Sequence, residues 1–273
     1  MSEVRPGLSL LVLSPHLDDA ALSCGGVLTG LSGDVRASVA TFFTTAGADP
    51  LPTRSGRAFL AVAHRAGAPG EPDPLFAARR AEDLEALSPW AEVVHVGLTD
   101  GIFRRRRAPV PRALARRVPE LVHVYRTYRF GLAAGRVARA DHECPRQVGD
   151  WIRQWVADHA GGDHLVLAPL GAGGHVDHVL VRDAACAAVP ADRLGFYADH
   201  PYVLTSPPDP EFLTSRSLTR TEYSGGAVRK RDLVLHYRTQ AAALYPEGVP
   251  LTGDELWWGP EIDGPATLVR LTT

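Results

Sequence analysis

The fold is decided by the stretch Leu8-Ser9-Leu10-Leu11-Val12-Leu13-Ser14-Pro15-His16-Leu17-Asp18-Asp19. The apolar run over residues 8–13 is typical of a strand that is buried on both faces of a parallel sheet. Ser14-Pro15 ends this strand, and the two acids that follow, with small residues after them, indicate the start of a helix. The stretch therefore predicts a buried strand that leads into a helix, with polar side chains at the junction.

The alternation of strand and helix patterns continues along the chain. Apolar runs predict further strands over residues 35–43, 91–96, 163–168 and 194–197. Amphipathic patterns predict helices over residues 77–87, about 177–188 and 228–244. This order predicts an α/β fold, with a Rossmann-like, mainly parallel sheet and helices on both faces. Because ligands of such folds bind beyond the carboxyl ends of the strands, we expect the site there.

We predict one domain over residues 1–273, since a chain of 273 residues with 45% hydrophobic content can bury one sizeable core. A basic, partly helical insertion is predicted around residues 101–158. Between Arg104 and Arg146 there are twelve arginines and only three acids. Two interpretations of this segment stay open: a solvated or inter-subunit surface, and a face that binds a phosphate or carboxylate of the substrate.

Composition and charge argue against several classes of protein. The net charge of −2 predicts no whole-chain attraction to nucleic acid or to an anionic membrane. No stretch reaches the roughly 18 apolar residues of a membrane-spanning helix, and the N-terminus lacks the layout of a signal peptide. We therefore predict a cytoplasmic protein without a nucleic-acid or membrane partner, and a homo-oligomer is compatible with the sequence. Three widely spaced cysteines, Cys24, Cys144 and Cys186, indicate free thiols.

Two short segments carry residues that suit metal chemistry. His16, Asp18 and Asp19 follow the first strand, and His175 and His178 follow a Gly-rich turn after another predicted strand. Zinc accepts imidazole and carboxylate ligands, and an open catalytic site uses three protein ligands and a water, from which a nearby carboxylate can take a proton. The alternative for the acids is helix capping, and for the histidines it is a polar helix start. Both segments together, each at a strand's carboxyl end, favour a metal site.

Other catalytic patterns fit less well. Asp141-His142-Glu143-Cys144-Pro145 resembles the His-x-Glu of zinc deaminases, but the downstream PCxxC is absent, so we assign this segment to a loop. The sequence has no Gly-x-Ser-x-Gly elbow, and neither a P-loop nor a GxGxxG fingerprint follows the first strand. A serine hydrolase and a dinucleotide-binding enzyme are therefore disfavoured.

The two segments read Pro15-His16-Leu17-Asp18-Asp19-Ala20 and His175-Val176-Asp177-His178. They resemble PHPDDE and HPDH, the hallmarks of the PIG-L/LmbE-like family of zinc-dependent N-acetylglucosaminyl (amino-sugar) deacetylases. The resemblance extends to RRAED at 79–83, YADHPY at 197–202 and the segment 230–240 that ends in YRTQ. It covers most of the chain except roughly residues 101–158, and it implies an LmbE-like α/β fold.

The resemblance also implies a metal centre. His16, Asp19 and His178 would be the ligands of one divalent ion, which would be Zn²⁺ or, as an alternative that accepts the same ligands, Fe²⁺. Asp18 would be the general base. Leu17 replaces the family's usual proline, which should change the stiffness of the loop more than its chemistry.

The same resemblance assigns three further residues. His175 would stabilise the tetrahedral oxyanion or protonate the leaving amine, and Asp177 would orient and tune a histidine. Arg79 would contact the substrate or a carboxylate such as Glu82. Ala20 stands where the family usually has glutamate, which weakens any assignment of the substrate by analogy.

We therefore predict a hydrolase that removes an N-acyl group, with N-acetyl as the expected case, from an amino sugar or a sugar-containing small molecule. The bond would be a linear, non-peptide C–N bond. Two alternatives stay open: an amidase of the same mechanism that acts on a thiol conjugate or a specialised natural product, and a metal- or sugar-binding module whose activity has decayed. Trp257 and Trp258 could stack on a sugar, although core packing is the commoner use of such residues.

Overall fold

The computed structural model describes residues 7–273, and its helices and strands alternate as the sequence predicts. The strands are β1 Leu8–Ser14, β2 Val35–Thr45, β3 Glu92–Thr99, β4 His164–Pro169, β5 Leu194–Tyr197, β6 Thr219–Tyr223 and β7 Asp254–Trp258. The helices are α1 Asp19–Thr29, α2 Arg54–Arg65, α3 Pro72–Leu87, α4 Arg112–Arg117, α5 Glu143–Asp158, α6 Val176–Ala188, α7 Pro210–Ser215, α8 Ala227–Val234, α9 Ala241–Leu244 and α10 Gly264–Thr272. No helix within this range is long and apolar enough to cross a membrane.

The seven strands form one sheet in the order β3-β2-β1-β4-β5-β7-β6. Strands β1 to β5 run parallel to one another, and β7 runs antiparallel to both β5 and β6. The predicted fold class, a mainly parallel α/β sheet, is therefore confirmed. The chain leaves β1 toward β2 on one side, and it leaves β4 toward β5 on the other. The carboxyl ends of β1 and β4 consequently form the switch point of the sheet, where α/β folds bind ligands.

Strand β1 is buried on both faces because helices cover the sheet on both sides. Leu10 and Val12 pack into one hydrophobic cluster, which includes residues of α1, α8 and α10. Leu11 and Leu13 pack into a second cluster, which includes residues of α5 and α6. This explains why the strand reads as a continuous apolar run instead of an alternating one.

Helix α1 is buried along its whole length, and two adjacent glycines allow its neighbours to approach closely. A Cβ atom on Gly25 would lie 3.1 Å from Cγ of Lys230 in α8, and one on Gly26 would lie 2.9 Å from Oδ2 of Asp254 in β7. Larger residues at these two positions would push α8 and β7 away from the helix. The close packing fixes α1, and therefore Asp19 at its first position, against the sheet.

The C-terminal third departs from the predictions. The helix predicted over 228–244 is wrong as one element, because it is divided into α8 and α9. In the break, the backbone N–H and the hydroxyl of Thr239 donate to Glu82, and Gln240 donates to the Leu17 carbonyl. The backbone N–H of Thr239 thus bonds to a side chain instead of a carbonyl of the preceding helical turn. The antiparallel strands β6 and β7 were not predicted, and Trp258 in β7 is fully buried in the core, as the commoner use of such residues suggested.

The segment between β3 and β4 contains α4, α5 and short 3₁₀ or π-helical turns at 119–121, 128–132 and 139–141. The assignment of Asp141–Pro145 to a loop is wrong in part, because α5 begins at Glu143 and Asp141 lies in a 3₁₀ turn. The carboxylate of Asp141 accepts hydrogen bonds from Arg104 and Tyr125, which holds this corner together. The three cysteines are free thiols, as predicted.

Candidate metal centre

The loop after β1 is held by hydrogen bonds from its own residues. The hydroxyl of Ser14 donates to the carbonyl of His16 at 2.8 Å, and the backbone N–H of His16 donates to Asp19 Oδ2 at 2.8 Å. Gln240, in the break between α8 and α9, donates to the carbonyl of Leu17 at 2.7 Å. The side chain of Asp18 makes no capping bond to α1, so the capping interpretation is wrong for this residue.

The second loop, after β4, turns on glycines and leads into α6. Gly171, Gly173 and Gly174 have φ values of 78°, 75° and 66°, which favour glycine because it has no Cβ atom. His175 then caps α6, since its Nδ1 accepts from the backbone N–H of Asp177 at 3.3 Å. His178 follows in the first turn of the helix and is fully buried.

The two loops bring three predicted ligand atoms together. Nδ1 of His16 lies 3.2 Å from Oδ2 of Asp19, and Nε2 of His178 lies 3.3 Å from the same oxygen. Nδ1 of His16 and Nε2 of His178 are 3.3 Å apart. Ligands at zinc distances of about 2.0–2.1 Å in tetrahedral geometry are separated by roughly 3.3–3.4 Å. The three atoms thus have the spacing of three corners of a metal tetrahedron.

Each of the two histidines has a carboxylate on its far side. Nε2 of His16 donates to Asp177 Oδ2 at 3.2 Å, and Nδ1 of His178 donates to Asp199 Oδ1 at 2.6 Å. With the ring protons on these outer nitrogens, the inner nitrogens present lone pairs to each other and to Asp19. Three lone pairs at such distances repel unless a cation lies between them. The donor set and its outer carboxylates therefore fit a divalent metal ion.

Asp177 is surrounded by donors. In addition to His16, it accepts from the backbone N–H of Gly101 at 2.8 Å and from Arg104 at 2.6 Å. Burial alone would raise the pKa of Asp177, but the Arg104 guanidinium and His16 hold it well below its usual range. The ionised carboxylate is thus fixed in place behind His16.

Asp18 and Arg79 form an ion pair in the wall of a small cavity of about 150 Å³. A guanidinium nitrogen of Arg79, from α3, lies 3.6 Å from Oδ1 of Asp18. Burial raises the pKa of Asp18 to about 6, although the positive charge of Arg79 opposes this shift. Glu82, which we considered as a partner of Arg79, instead accepts from Thr239.

His175 also lines the cavity, between two tyrosine rings. Its ring centroid lies 6.3 Å from that of Tyr128 and 6.5 Å from that of Tyr202. Burial and the nearby charge of His16 lower the pKa of His175 to about 3. The ring is therefore neutral at neutral pH, and because Nδ1 accepts a hydrogen bond, the proton is on Nε2.

Among residues 7–273, two other sets of side chains could offer ligand atoms to an ion. One combines His16 with His175 and His178, and the other combines His16 with Asp100 and Asp177. In the second set Asp100 is 3.8 Å from Nε2 of His16, and Asp177 already accepts bonds from Arg104 and Gly101. His16, Asp19 and His178 lie closer together and have free lone pairs, so we favour them.

Sequence reasoning missed four residues that support this centre: Asp199, Asp100, Arg104 and Gln240. Asp199 lies in the YADHPY segment and Gln240 ends YRTQ, so the resemblance marked both positions without giving them a role. Asp100 directly follows β3, and the rule that sites lie at the carboxyl ends of strands would have selected it. Arg104 carried no signal beyond the general arginine bias of its segment.

Comparison with known proteins identifies the family of this chain. Residues 11–189 match the sequence profile of the family described as PIG-L, GlcNAc-PI de-N-acetylase. The chain belongs to the PIG-L family. The resemblance drawn from the two metal-type segments is thus confirmed, and the family match contains both of them as well as Arg79.

A PIG-L relative from Streptomyces fradiae, 2'-N-acetylparomamine deacetylase, is 34% identical over 203 residues. The match covers 73% of this chain and only 59% of that relative, so the chain accounts for little more than half of its length. Two solved structures share the fold at 22% identity. A zinc-inhibited form of teicoplanin deacetylase superposes with a TM-score of 0.65, covering 91% of this chain and 97% of that one. The A40926 pseudoaglycone deacetylase superposes with a TM-score of 0.58, covering 91% and 95%.

Proposed function

We propose that this PIG-L protein is a metal-dependent N-deacetylase that hydrolyses the N-acetyl amide of an amino sugar within a small molecule. The observation that carries the proposal is the triangle of His16, Asp19 and His178, with sides of 3.2–3.3 Å, next to the carboxylate of Asp18. Such a triangle would hold a divalent ion beside the cavity, which Asp18 also lines.

In this proposal His16, Asp19 and His178 hold one divalent ion, with Zn²⁺ as the expected metal and Fe²⁺ as the alternative. When bound, the ion supplies Lewis acidity toward the acyl oxygen and makes the attacking water more acidic. Asp18 accepts the proton of that water. Its pKa of about 6 suits a general base, because the carboxylate is ionised at neutral pH and still basic enough to take a proton.

His175 is proposed to stabilise the oxyanion. Its neutral ring carries the proton on Nε2, so it can donate a hydrogen bond to the oxygen that becomes negative. A pKa of about 3 makes the ring a poor carrier of a second proton, which favours this role over protonation of the amine. The protonated Asp18 carboxyl is then the group placed to return its proton to the departing nitrogen.

Arg79 is proposed to contact both the substrate and the carboxylate of Asp18. Its side chain is buried and lines the cavity. A guanidinium group in this position can donate hydrogen bonds to the oxygens of a sugar that enters the cavity. The 2'-N-acetylparomamine and teicoplanin deacetylases support an amino sugar attached to a larger scaffold as the substrate class. The predicted cytoplasmic location and single-domain organisation remain part of the proposal.

Acetate release from a panel of N-acetylated amino sugars and aminoglycosides tests the proposal. The zinc-loaded protein should release acetate, and activity should disappear on chelation and return when zinc is added. Asp18→Ala should keep the metal and lose most turnover, whereas His178→Ala should lose both. Exposed Asp183→Ala is the control, and it should keep both properties. Full activity in either site variant would exclude the assignment of that residue.

A further inference from the structure

The cavity beside the metal centre is too small for a whole amino sugar on a scaffold. Its volume is about 150 Å³, whereas pockets that enclose small ligands commonly measure roughly 300–1,000 Å³. The acetamide and adjoining atoms fill such a space. The rest of the substrate must therefore contact the surface around the cavity mouth, and Tyr128 is part of this rim.

A second and larger cleft lies on the other side of the turn that carries Tyr128. This arginine cleft has a volume of about 670 Å³ and is lined by residues that include Arg126, Arg136, Arg139, Phe130 and Val137. Tyr128 lines the cavity beside the metal centre, while the nearby residues Thr127 and Phe130 line the arginine cleft. One turn of the chain thus separates the two depressions.

The arginine cleft has an uncompensated positive charge. Arg126, Arg136 and Arg139 are exposed, and among residues 7–273 no carboxylate oxygen lies within 4.0 Å of their guanidinium groups. The sequence from 126 to 140 contains no acid. By contrast, Arg104 and Arg112 of the same segment are paired with Asp141 and Asp49. Three cations in one concave surface attract an anionic group.

Hydrogen bonds join the walls of the cleft to each other and to the loop before His175. The hydroxyl of Tyr125 accepts from the backbone N–H of Ala138 at 3.2 Å and donates to Asp141 at 2.8 Å, which ties its two sides together. The backbone N–H of Gly135 donates to the carbonyl of Gly174 at 2.9 Å, one residue before His175. These bonds restrain the backbone that carries the arginines, and such restraint lowers the entropic cost of binding.

We propose that the arginine cleft binds an anionic group of the substrate, a phosphate or a carboxylate carried on an apolar or aromatic body. The arginines recognise the charge, because guanidinium groups form charge-assisted bonds with either anion. Phe130, with 81% of its surface exposed, contacts the apolar body. This inference rests on the proposed deacetylase function, since the substrate then extends from the metal centre across Tyr128 into the cleft.

Binding of phenyl phosphate, benzoate and neutral phenol to the zinc-loaded protein tests the cleft directly. The variant Arg126→Gln/Arg136→Gln/Arg139→Gln removes its charge. The variant Arg65→Gln/Arg116→Gln/Arg117→Gln changes the net charge equally at exposed arginines outside it. We expect the Kd of an anion to rise about tenfold in the cleft variant and less than about twofold in the control. Comparing phenyl phosphate with benzoate identifies the preferred anion.

Three results would overturn the binding site: no anion binding by the wild type, an unchanged Kd in the cleft variant, or equal weakening in both variants. The link to catalysis is measured with a phosphorylated N-acetylated sugar and its neutral counterpart. The cleft variant should raise KM for the phosphorylated sugar alone and leave kcat unchanged, and equal changes for both would overturn the link. If the wild type deacetylates neither sugar, the proposed function fails while the binding measurement still decides the cleft.

Discussion

The carboxylate of Asp199 lies 2.6 Å from Nδ1 of His178, on the opposite side of the ring from the candidate metal centre. Nε2 of the same ring lies 3.3 Å from Asp19. A carboxylate in this position keeps the proton on Nδ1, so the lone pair of Nε2 stays directed at the centre. Asp199 is 21 residues from His178 along the chain, and the packing of β5 against β4 brings the two together.

Asp199→Asn should weaken metal binding by about 10–100-fold, because the amide no longer fixes the ring as a carboxylate does. Competition with a chromogenic chelator measures the Kd of the metal without any assay of activity. Asp183→Asn on the exposed side of α6 is the matched control, and it should leave the Kd unchanged. An unchanged Kd in the Asp199 variant would show that this carboxylate does not support the ligand.

Arg104→Gln should destabilise the protein by about 3–5 kcal/mol, because it leaves the buried carboxylates of Asp177 and Asp141 without their cation. Urea unfolding measures this loss. Arg112→Gln breaks the exposed pair with Asp49 and should cost less than about 1 kcal/mol. Similar losses in the two variants would mean that burial does not decide the strength of these pairs.

Gln240→Ala should lower kcat with little effect on metal affinity. The side chain of Gln240 donates to the carbonyl of Leu17, between His16 and Asp18, and thereby holds the position of the base. Loss of one such bond costs about 1 kcal/mol of stability. Gln154→Ala, whose amide bonds Asp158 on the exposed face of α5, is the control. Equal kcat in the two variants would contradict a role for Gln240 in placing the loop.

His200 should make stability depend on pH. Burial, together with the charge of Lys230, lowers the pKa of His200 to about 4, below its value in the unfolded chain. As the pH falls, the unfolded state therefore binds more protons than the folded state. The stabilising contribution of neutral His200 to the free energy of unfolding is complete above about pH 6.5 and is lost toward pH 4. The free energy of unfolding should fall by about 3 kcal/mol over this pH range.

Urea unfolding of the wild type and of His200→Gln at about pH 7.5 and pH 4 checks this expectation. The stability difference between the two proteins should change in favour of the variant as the pH falls. His142→Gln, at an exposed position, controls for the removal of an imidazole. A difference that does not change with pH would exclude His200 as the titrating group.

The helices and strands around the site were predictable because their signals are local. The strand over residues 8–13 can be predicted without knowing its neighbours, because a strand that is buried on both faces is apolar at nearly every position. Leu194–Tyr197 is a strand with the predicted bounds for the same reason. The 228–244 prediction was wrong because periodicity cannot show that Thr239 and Gln240 bond to residues 157 and 223 positions away.

Residue type and spacing are enough to predict the α/β class, the family and the two segments that carry His16, Asp18, Asp19, His175 and His178. The 3.2–3.3 Å spacing of three of these side chains, and the positions of Asp177, Asp199 and Arg104 behind them, come from the folded chain. Since His16 and Asp177 are 161 residues apart, their contact depends on the pairing of β1 with β4 and on the packing of the residues between them. The arginine cleft likewise depends on the fold, because the sequence shows the arginines but does not show that they line one concave surface.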